Sequence, residues 1–261
     1  MGPPLGSLPL ESRVALVTGS SSGIGAAIAR HLAARGARVA VTSRSADRAQ
    51  AVAEEIIAVG GSATAYVADL TVAERCGELV EAVAADHGRL DILVNNAGIG
   101  MVRASVAITL EEWNQAIAVD LTAPFLCAQA AGRRMLETGC GGVIINIGSV
   151  FGRLGMPERT AYCAAKHGLG GVTRALAAEW APYGVRVLQV DPAFVRTDFI
   201  LESMARGGFQ PDDVERRTPL GRMADPAEVA TTVAFLASDD AAYLTGSSVA
   251  VDGGWMSYGG W

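Results

Sequence analysis

The stretch Arg13-Val14-Ala15-Leu16-Val17-Thr18-Gly19-Ser20-Ser21-Ser22-Gly23-Ile24-Gly25 decides the fold. Arg13 to Val17 read as a short apolar strand, the glycines as a tight turn, and the residues through Arg35 as a helix. Glycine lets the backbone approach a ligand closely, and a helix start offers unpaired N–H groups to phosphate oxygens. Gly19, Ser21, Ser22, Gly23, Ile24 and Gly25 are therefore candidate cofactor contacts. The spacing is Gly-x-x-x-Gly-x-Gly, not the commoner Gly-x-Gly-x-x-Gly. Taken alone, such a turn is equally a plain strand-to-helix connection.

Outward from this unit the pattern repeats. Arg38 to Thr42 is a second strand. A helix follows from Asp47 to Val59, stopped by Gly60-Gly61. Ala63 to Ala68 is a strand, Val72 to Asp86 a helix, and Asp91 to Val94 a strand. Thr109-Leu110-Glu111-Glu112 is a capping box opening a long helix to about Met135, with a kink expected at Pro124. Val143 to Ile147 is a strand, Thr160 to Ala181 a helix, and Val185 to Val190 a strand. Residues 193–222, with Gly207-Gly208, Pro211 and Pro219, predict a long substrate loop. Asp225-Pro226 starts another helix, and Val249 to Val251 is the last strand. This alternation predicts α/β architecture: a seven-stranded, doubly wound parallel sheet of Rossmann type with helices on both faces. Residues 10–261 form one domain, preceded by a loose Pro/Gly tail at 1–9.

Ser149 follows the strand at Val143, and Tyr162 and Lys166 stand four apart on the next helix, sharing a face. A free phenol titrates near ~10. A neighbouring ammonium favours the phenolate and brings the group toward useful proton transfer. A serine hydroxyl beside it suits a substrate oxygen. Without further support, Tyr-x-x-x-Lys is an ordinary helix surface pair.

Thr18 to Gly25, Asn95-Asn96-Ala97-Gly98, Ser149 and the Tyr162/Lys166 pair occur in this order, followed near the C-terminus by Asp252-Gly253-Gly254. From about Leu10 onward it resembles the short-chain dehydrogenase/reductase family, including its members that reduce 3-oxoacyl thioesters on acyl carrier protein. The resemblance implies that Tyr162 is the general acid/base. It makes Ser149 the group that positions the carbonyl, and Lys166 the group that tunes the phenol and binds the nicotinamide ribose. It places Asp69 and Leu70 at the adenine, Asn96, Ala97 and Gly98 along the cofactor, and Pro192, Ala193, Val195 and Thr197 at the nicotinamide. Two positions depart from the family pattern. Asp120 stands where an asparagine is usual; an ionised carboxylate donates no hydrogen bond, so any proton relay there differs. Ala193 stands where glycine is usual.

An acidic residue ending the second strand would hold the ribose hydroxyls of NAD. This chain has Ser43-Arg44 instead, with Arg48 a turn further, which suits a 2′-phosphate. The expectation is NADP(H), with NAD(H) as the alternative, although Ser20-Ser21-Ser22 carries no basic residue. The predicted activity is interconversion of a ketone and a secondary alcohol, with a 3-oxoacyl thioester or another small ketone as substrate. An NAD-dependent alcohol or polyol dehydrogenase, or a non-catalytic dinucleotide-binding regulator, are the other readings. Phe194, Phe199, Ile200, Leu201, Met204 and Phe209 predict an apolar pocket. Arg133-Arg134 is a solvated helix end or a contact for an acidic carrier protein.

Composition limits the partners. Net charge is −6, from 21 basic and 27 acidic residues with no basic block, which argues against nucleic acid and anionic membranes. Only 18% of residues are charged and 50% are apolar, against a usual ~25% charged. The surplus predicts subunit contacts, a homotetramer or homodimer joined through the long helix and the Tyr162 helix. The tail from Trp255 to Trp261 is expected at such an interface, with Trp261 near the substrate loop. Four cysteines and three histidines show no pairing or ligand spacing, so no metal is expected. No signal peptide or long apolar span is present, which predicts a cytoplasmic protein.

Overall fold

All four residues of strand β1 (Val14–Val17) are buried. A strand apolar on both sides belongs in the middle of a sheet that is covered on both faces. A computed structural model of the protein describes residues 9–207 and 209–259 and places β1 there. It pairs in parallel with β2 (Arg38–Ser43) on one side and, beyond β3 (Ser62–Val67) in the chain, with β4 (Ile92–Asn95) on the other. β5 (Gly142–Ile147), β6 (Val185–Pro192) and β7 (Ser248–Val251) complete a seven-stranded sheet in the order β3-β2-β1-β4-β5-β6-β7, every pair parallel. The order reverses between β1 and β4, and such switch points open a crevice at the carboxyl ends of the strands.

The helices are α1 (Gly23–Ala34), α2 (Ala46–Ala58), α3 (Ala73–His87), α4 (Leu110–Ile117), α5 (Ala123–Thr138), α6 (Thr160–Trp180), α7 (Asp198–Gly207), α8 (Pro211–Arg217) and α9 (Pro226–Ala237). Ile28, Leu32, Val52, Ile56, Val229 and Val233 of α1, α2 and α9 pack under one face of the sheet. Leu79, Val83, Cys127, Met135, Leu176 and Trp180 of α3, α5 and α6 cover the other. Gly132 lets α5 and α6 approach: a Cβ there would stand 2.6 Å from the Trp180 ring. No helix among the described residues is long and apolar enough to cross a membrane.

Three expectations need correction. The long helix is interrupted one turn ahead of Pro124 by a π segment, Ala118–Thr122, in which the Ala123 N–H reaches back five residues to the Ala118 carbonyl. Pro124 has no N–H to offer the Asp120 carbonyl, and its ring would crowd it in an ordinary turn. The wider turn relieves both. Second, residues 193–222 are mostly helical. Asp198 begins α7, and Pro211 is the first residue of α8 behind a Gln210/Asp213 capping box, so the proline starts a helix instead of marking a loop. Third, Trp255 is 8% exposed within its own subunit. Its ring lies 4.9 Å from that of Phe194 and under the Arg217 guanidinium at 4.1 Å, so it anchors the substrate-side helices of its own chain. The expectations for Trp261 and for the tail before Pro9 fall outside the described residues.

Candidate active site

The turn after β1 is locked from below. The Ser20 hydroxyl donates to the Val17 carbonyl at 2.7 Å and accepts from the Thr42 N–H at 2.8 Å. From β4's end, Asn96 Nδ2 donates to the carbonyls of Thr18 and Gly19 at 3.0 and 3.1 Å, and the Ala97 N–H donates to the Thr18 hydroxyl at 3.0 Å. Gly19 and Gly23 have φ of +62° and +54°, where an L side chain is strained. A Cβ on Gly25 would collide with Asn96 Nδ2 and the Gly19 carbonyl. Ser22 caps α1 without a side-chain hydrogen bond, which leaves the first N–H groups of that helix facing the crevice. Thr197 closes it from the far side, with its methyl 3.2 Å from a Cβ placed on Gly23. These features fit a dinucleotide: an unfilled helix start for phosphate, and glycines where a side chain would obstruct.

Ser43 ends β2, and its hydroxyl accepts from the Ser45 N–H at 3.1 Å. Arg44 is exposed beyond it. Asp69 follows β3; hydrogen bonds from the Thr71 N–H and hydroxyl hold its carboxyl below its usual range, and the Arg44 charge adds to this. Leu70 is half-buried next to it.

Ser149, Tyr162 and Lys166 come together at the ends of β5 and α6. Ser149 is 5% exposed, its Oγ accepting from the Phe151 N–H at 3.1 Å. It shares a cleft with Tyr162, Phe151, Phe194 and Phe199. Lys166 is buried; its Nζ donates to the Ile147 carbonyl at 3.0 Å and lies 5.6 Å from the Tyr162 ring centre. The phenol's pKa is nevertheless raised. Burial is the main cause, the Lys166 charge and a Ser149 hydrogen bond pull it down, and the Asp120 charge pushes it up. The Lys166 effect has the sign expected from the sequence, but burial exceeds it.

Asp120 sits on the π segment, fully buried. Its Oδ1 accepts from the Ile99 N–H at 3.2 Å and stands 3.7 Å from Lys166 Nζ, while Oδ2 has no partner. Burial holds its carboxyl above the usual range, against the opposing pull of Lys166. Gly98 leaves the room for this pair, since a Cβ there would lie 2.7 Å from Asp120 Oδ1.

Pro192 ends β6 and, like Val195, is buried; Ala193 lines the cleft beside Ser149. Phe194, Phe199, Ile200 and Phe209 line it as expected. Met204 is buried in the adjoining apolar cluster, whereas Leu201 is 42% exposed and takes no part. Arg134 is engaged by Glu81 across α5 and α3. Five cleft residues were missed by sequence reasoning: Gly100, Phe151, Met156, Arg159 and Ser203. The signal for Arg159 was its place three residues before Tyr162, at the N-cap of α6.

A family model described as enoyl-(acyl carrier protein) reductase matches residues 19–256. The chain belongs to the short-chain dehydrogenase/reductase family. It is 41% identical to D-threitol dehydrogenase of Mycolicibacterium smegmatis over 94% of each chain. It is also 41% identical to the 3-oxoacyl-acyl-carrier-protein reductase FabG of Escherichia coli, over 94% of this chain and 97% of that one. A putative NAD(P)-dependent gluconate 5-dehydrogenase from Beutenbergia cavernae, solved with NADP bound at low occupancy, superposes with a TM-score of 0.92. It is 40% identical, with 97% of this chain and all of that one covered. Relatives of this short-chain dehydrogenase/reductase are thus oxidoreductases named for different substrates.

Proposed function

We propose that the protein is an NADP(H)-dependent oxidoreductase that interconverts a ketone and a secondary alcohol, with Tyr162 as general acid/base. The observation that carries this is that Ser149 and Tyr162 line one cleft while Lys166 Nζ lies 5.6 Å from the Tyr162 ring centre. The dinucleotide would lie across the crevice between β1 and β4. The free N–H groups of α1 would meet its phosphates, Ser43 and Arg44 a 2′-phosphate, Asp69 and Leu70 the adenine, and Asn96, Ala97, Gly98, Pro192, Ala193, Val195 and Thr197 the nicotinamide half. When bound, it supplies or accepts a hydride at the substrate carbon.

In the reducing direction Tyr162 Oη delivers a proton to the carbonyl oxygen, which the Ser149 hydroxyl holds in place. Lys166 Nζ stabilises the phenolate left behind and reaches the nicotinamide ribose. Phe151, Phe194 and Phe199 exclude water from the reacting carbon, which strengthens these charge interactions. The named substrates of the relatives, a polyol, a 3-oxoacyl thioester and gluconate, are all met by this chemistry. Half-buried Phe125, Leu126 and Val172 on α5 and α6 support pairing of subunits through these helices into a homodimer or homotetramer. A fall in absorbance at 340 nm with NADPH and a panel of ketones tests the reading; no turnover of any ketone, and none of any secondary alcohol with NADP, would refute it.

A further inference from the structure

Arg159 is 7% exposed, at the N-cap of α6, and lines the cleft that holds Ser149 and Tyr162. Its Nη2 donates to the Ser203 hydroxyl of α7 at 3.1 Å. A guanidinium carries five N–H donors, and no other side-chain bond of Arg159 is made among the described residues. No carboxylate there forms an ion pair with it, in contrast to Lys166, which has Asp120. Glu158, next in the chain, is exposed and unpaired with it, although its field favours the charged form. Burial pushes the Arg159 pKa down, the mark of a cation taken out of water. The surrounding walls are Phe151, Met156, Phe194, Phe199, Ile200 and Phe209, none of which compensates the charge. A buried, uncompensated cation is costly and is normally paired.

We propose that the substrate carries an oxyanion, a carboxylate or a phosphate ester, and that Arg159 binds it. This rests on the oxidoreductase reading above for the carbonyl at Ser149 and Tyr162. Arg159, the N-cap residue, and Tyr162, in the first turn of α6, line one cleft together with Ser149. One small molecule in this cleft could therefore meet both Arg159 and the Ser149/Tyr162 pair, as a short oxo or hydroxy acid would. The planar fork of the guanidinium suits two oxygens of one anion. The uncapped start of α6 adds a favourable dipole.

The test pairs each anion with a neutral relative: acetoacetate with methyl acetoacetate, and dihydroxyacetone phosphate with dihydroxyacetone. kcat/KM is measured for wild type, Arg159→Gln and Arg159→Lys, with calorimetric binding of unreactive butyrate and methyl phosphate alongside. Wild type should favour the anion of at least one pair by tenfold or more, and the favoured pair identifies carboxylate or phosphate. In Arg159→Gln that ratio should fall by roughly tenfold to a hundredfold, and Arg159→Lys should recover part of it. Binding of the matching unreactive anion should weaken in parallel, with unfolding midpoints confirming folded variants. Equal use of anion and neutral relative by wild type, or a ratio unchanged in Arg159→Gln, overturns the proposal. If no ketone is turned over but anion binding still depends on Arg159, the anion site stands and the oxidoreductase reading falls.

Discussion

Asp120→Asn is the most informative single change, because it removes one charge from a buried triad and leaves the shape intact. The Asp120 carboxylate is 3.7 Å from Lys166 Nζ, which is 5.6 Å from the Tyr162 ring centre. Together these distances place the carboxylate no more than about 9 Å from the ring centre and about 12 Å from the phenolic oxygen. At an effective dielectric constant of about 20, two unit charges at that outer limit repel by about 1.4 kcal/mol, a factor of about ten in an equilibrium. Removing the charge therefore lowers the Tyr162 pKa, with Lys166 freed to act on the phenolate alone. In alcohol oxidation, where the phenolate is the base, the rising limb of the kcat/KM profile should move to lower pH. Activity at neutral pH then rises severalfold, up to about tenfold. Stability adds an independent sign. Burial raises the folded-state pKa of Asp120 above its unfolded value, so its ionisation opposes folding above the unfolded pKa of about 3.9. Asp120→Asn should be the more stable protein at pH 7, and the gain should vanish as pH falls through about 4. A pH profile that stays put, or a folded variant without activity, would refute the argument and give the carboxylate a chemical role of its own.

Tyr162→Phe should lower turnover by at least a hundredfold with NADPH binding, followed by fluorescence, unchanged; activity within tenfold of wild type would refute its role as acid. Arg44→Asp should raise the KM for NADPH by roughly tenfold or more and leave NADH use intact or improved; a wild type that prefers NADH overturns this. Trp255→Ala removes the ring packed between Phe194 and Arg217 and should lower the Tm by roughly 6–10 °C. Its assembly mass by light scattering should stay the same, and a change would return Trp255 to a subunit interface.

The sheet was legible because its strands are apolar on both faces and bounded by glycine, as Val14–Val17 and Val143–Ile147 show. Ser149, Tyr162 and Lys166 were legible as types at a spacing, and the fold then had only to bring two chain segments together. What escaped depended on three-dimensional burial. The raised pKa of Tyr162 follows from a desolvation that no local pattern records. The helices of residues 198–217 were hidden because Pro211 was weighed as a breaker when it occupies the one helical position that tolerates proline. Arg159 was passed over because an arginine before a helix is usually solvated, and only the packing of α7 against the cleft closes it off from water.

The placement of Ser149 against Tyr162 has its own cause in the sheet. Asn95, Asn146 and Gln189 are aligned across β4, β5 and β6. Asn95 Nδ2 donates to Asn146 Oδ1 at 2.9 Å, and Asn146 Nδ2 to the Thr173 hydroxyl at 2.9 Å. That hydroxyl lies 3.3 Å from Gln189 Oε1. Gln189 Nε2 continues to Asp191 at 2.6 Å, and Asp191 in turn is met by Arg153 at 3.3 Å. Every one of these groups except Arg153 is buried. Unmade hydrogen bonds at such depth are expensive, and a one-residue slip of any strand would turn an amide from this row toward an apolar layer. The row thus ties the register of β5, which ends two residues before Ser149, to Thr173, three turns along α6 from Tyr162. Asn95 Oδ1 is left without a partner, a local cost that a buried network can carry when its other members fix one arrangement. The serine and the tyrosine are brought together by polar residues that never touch the substrate.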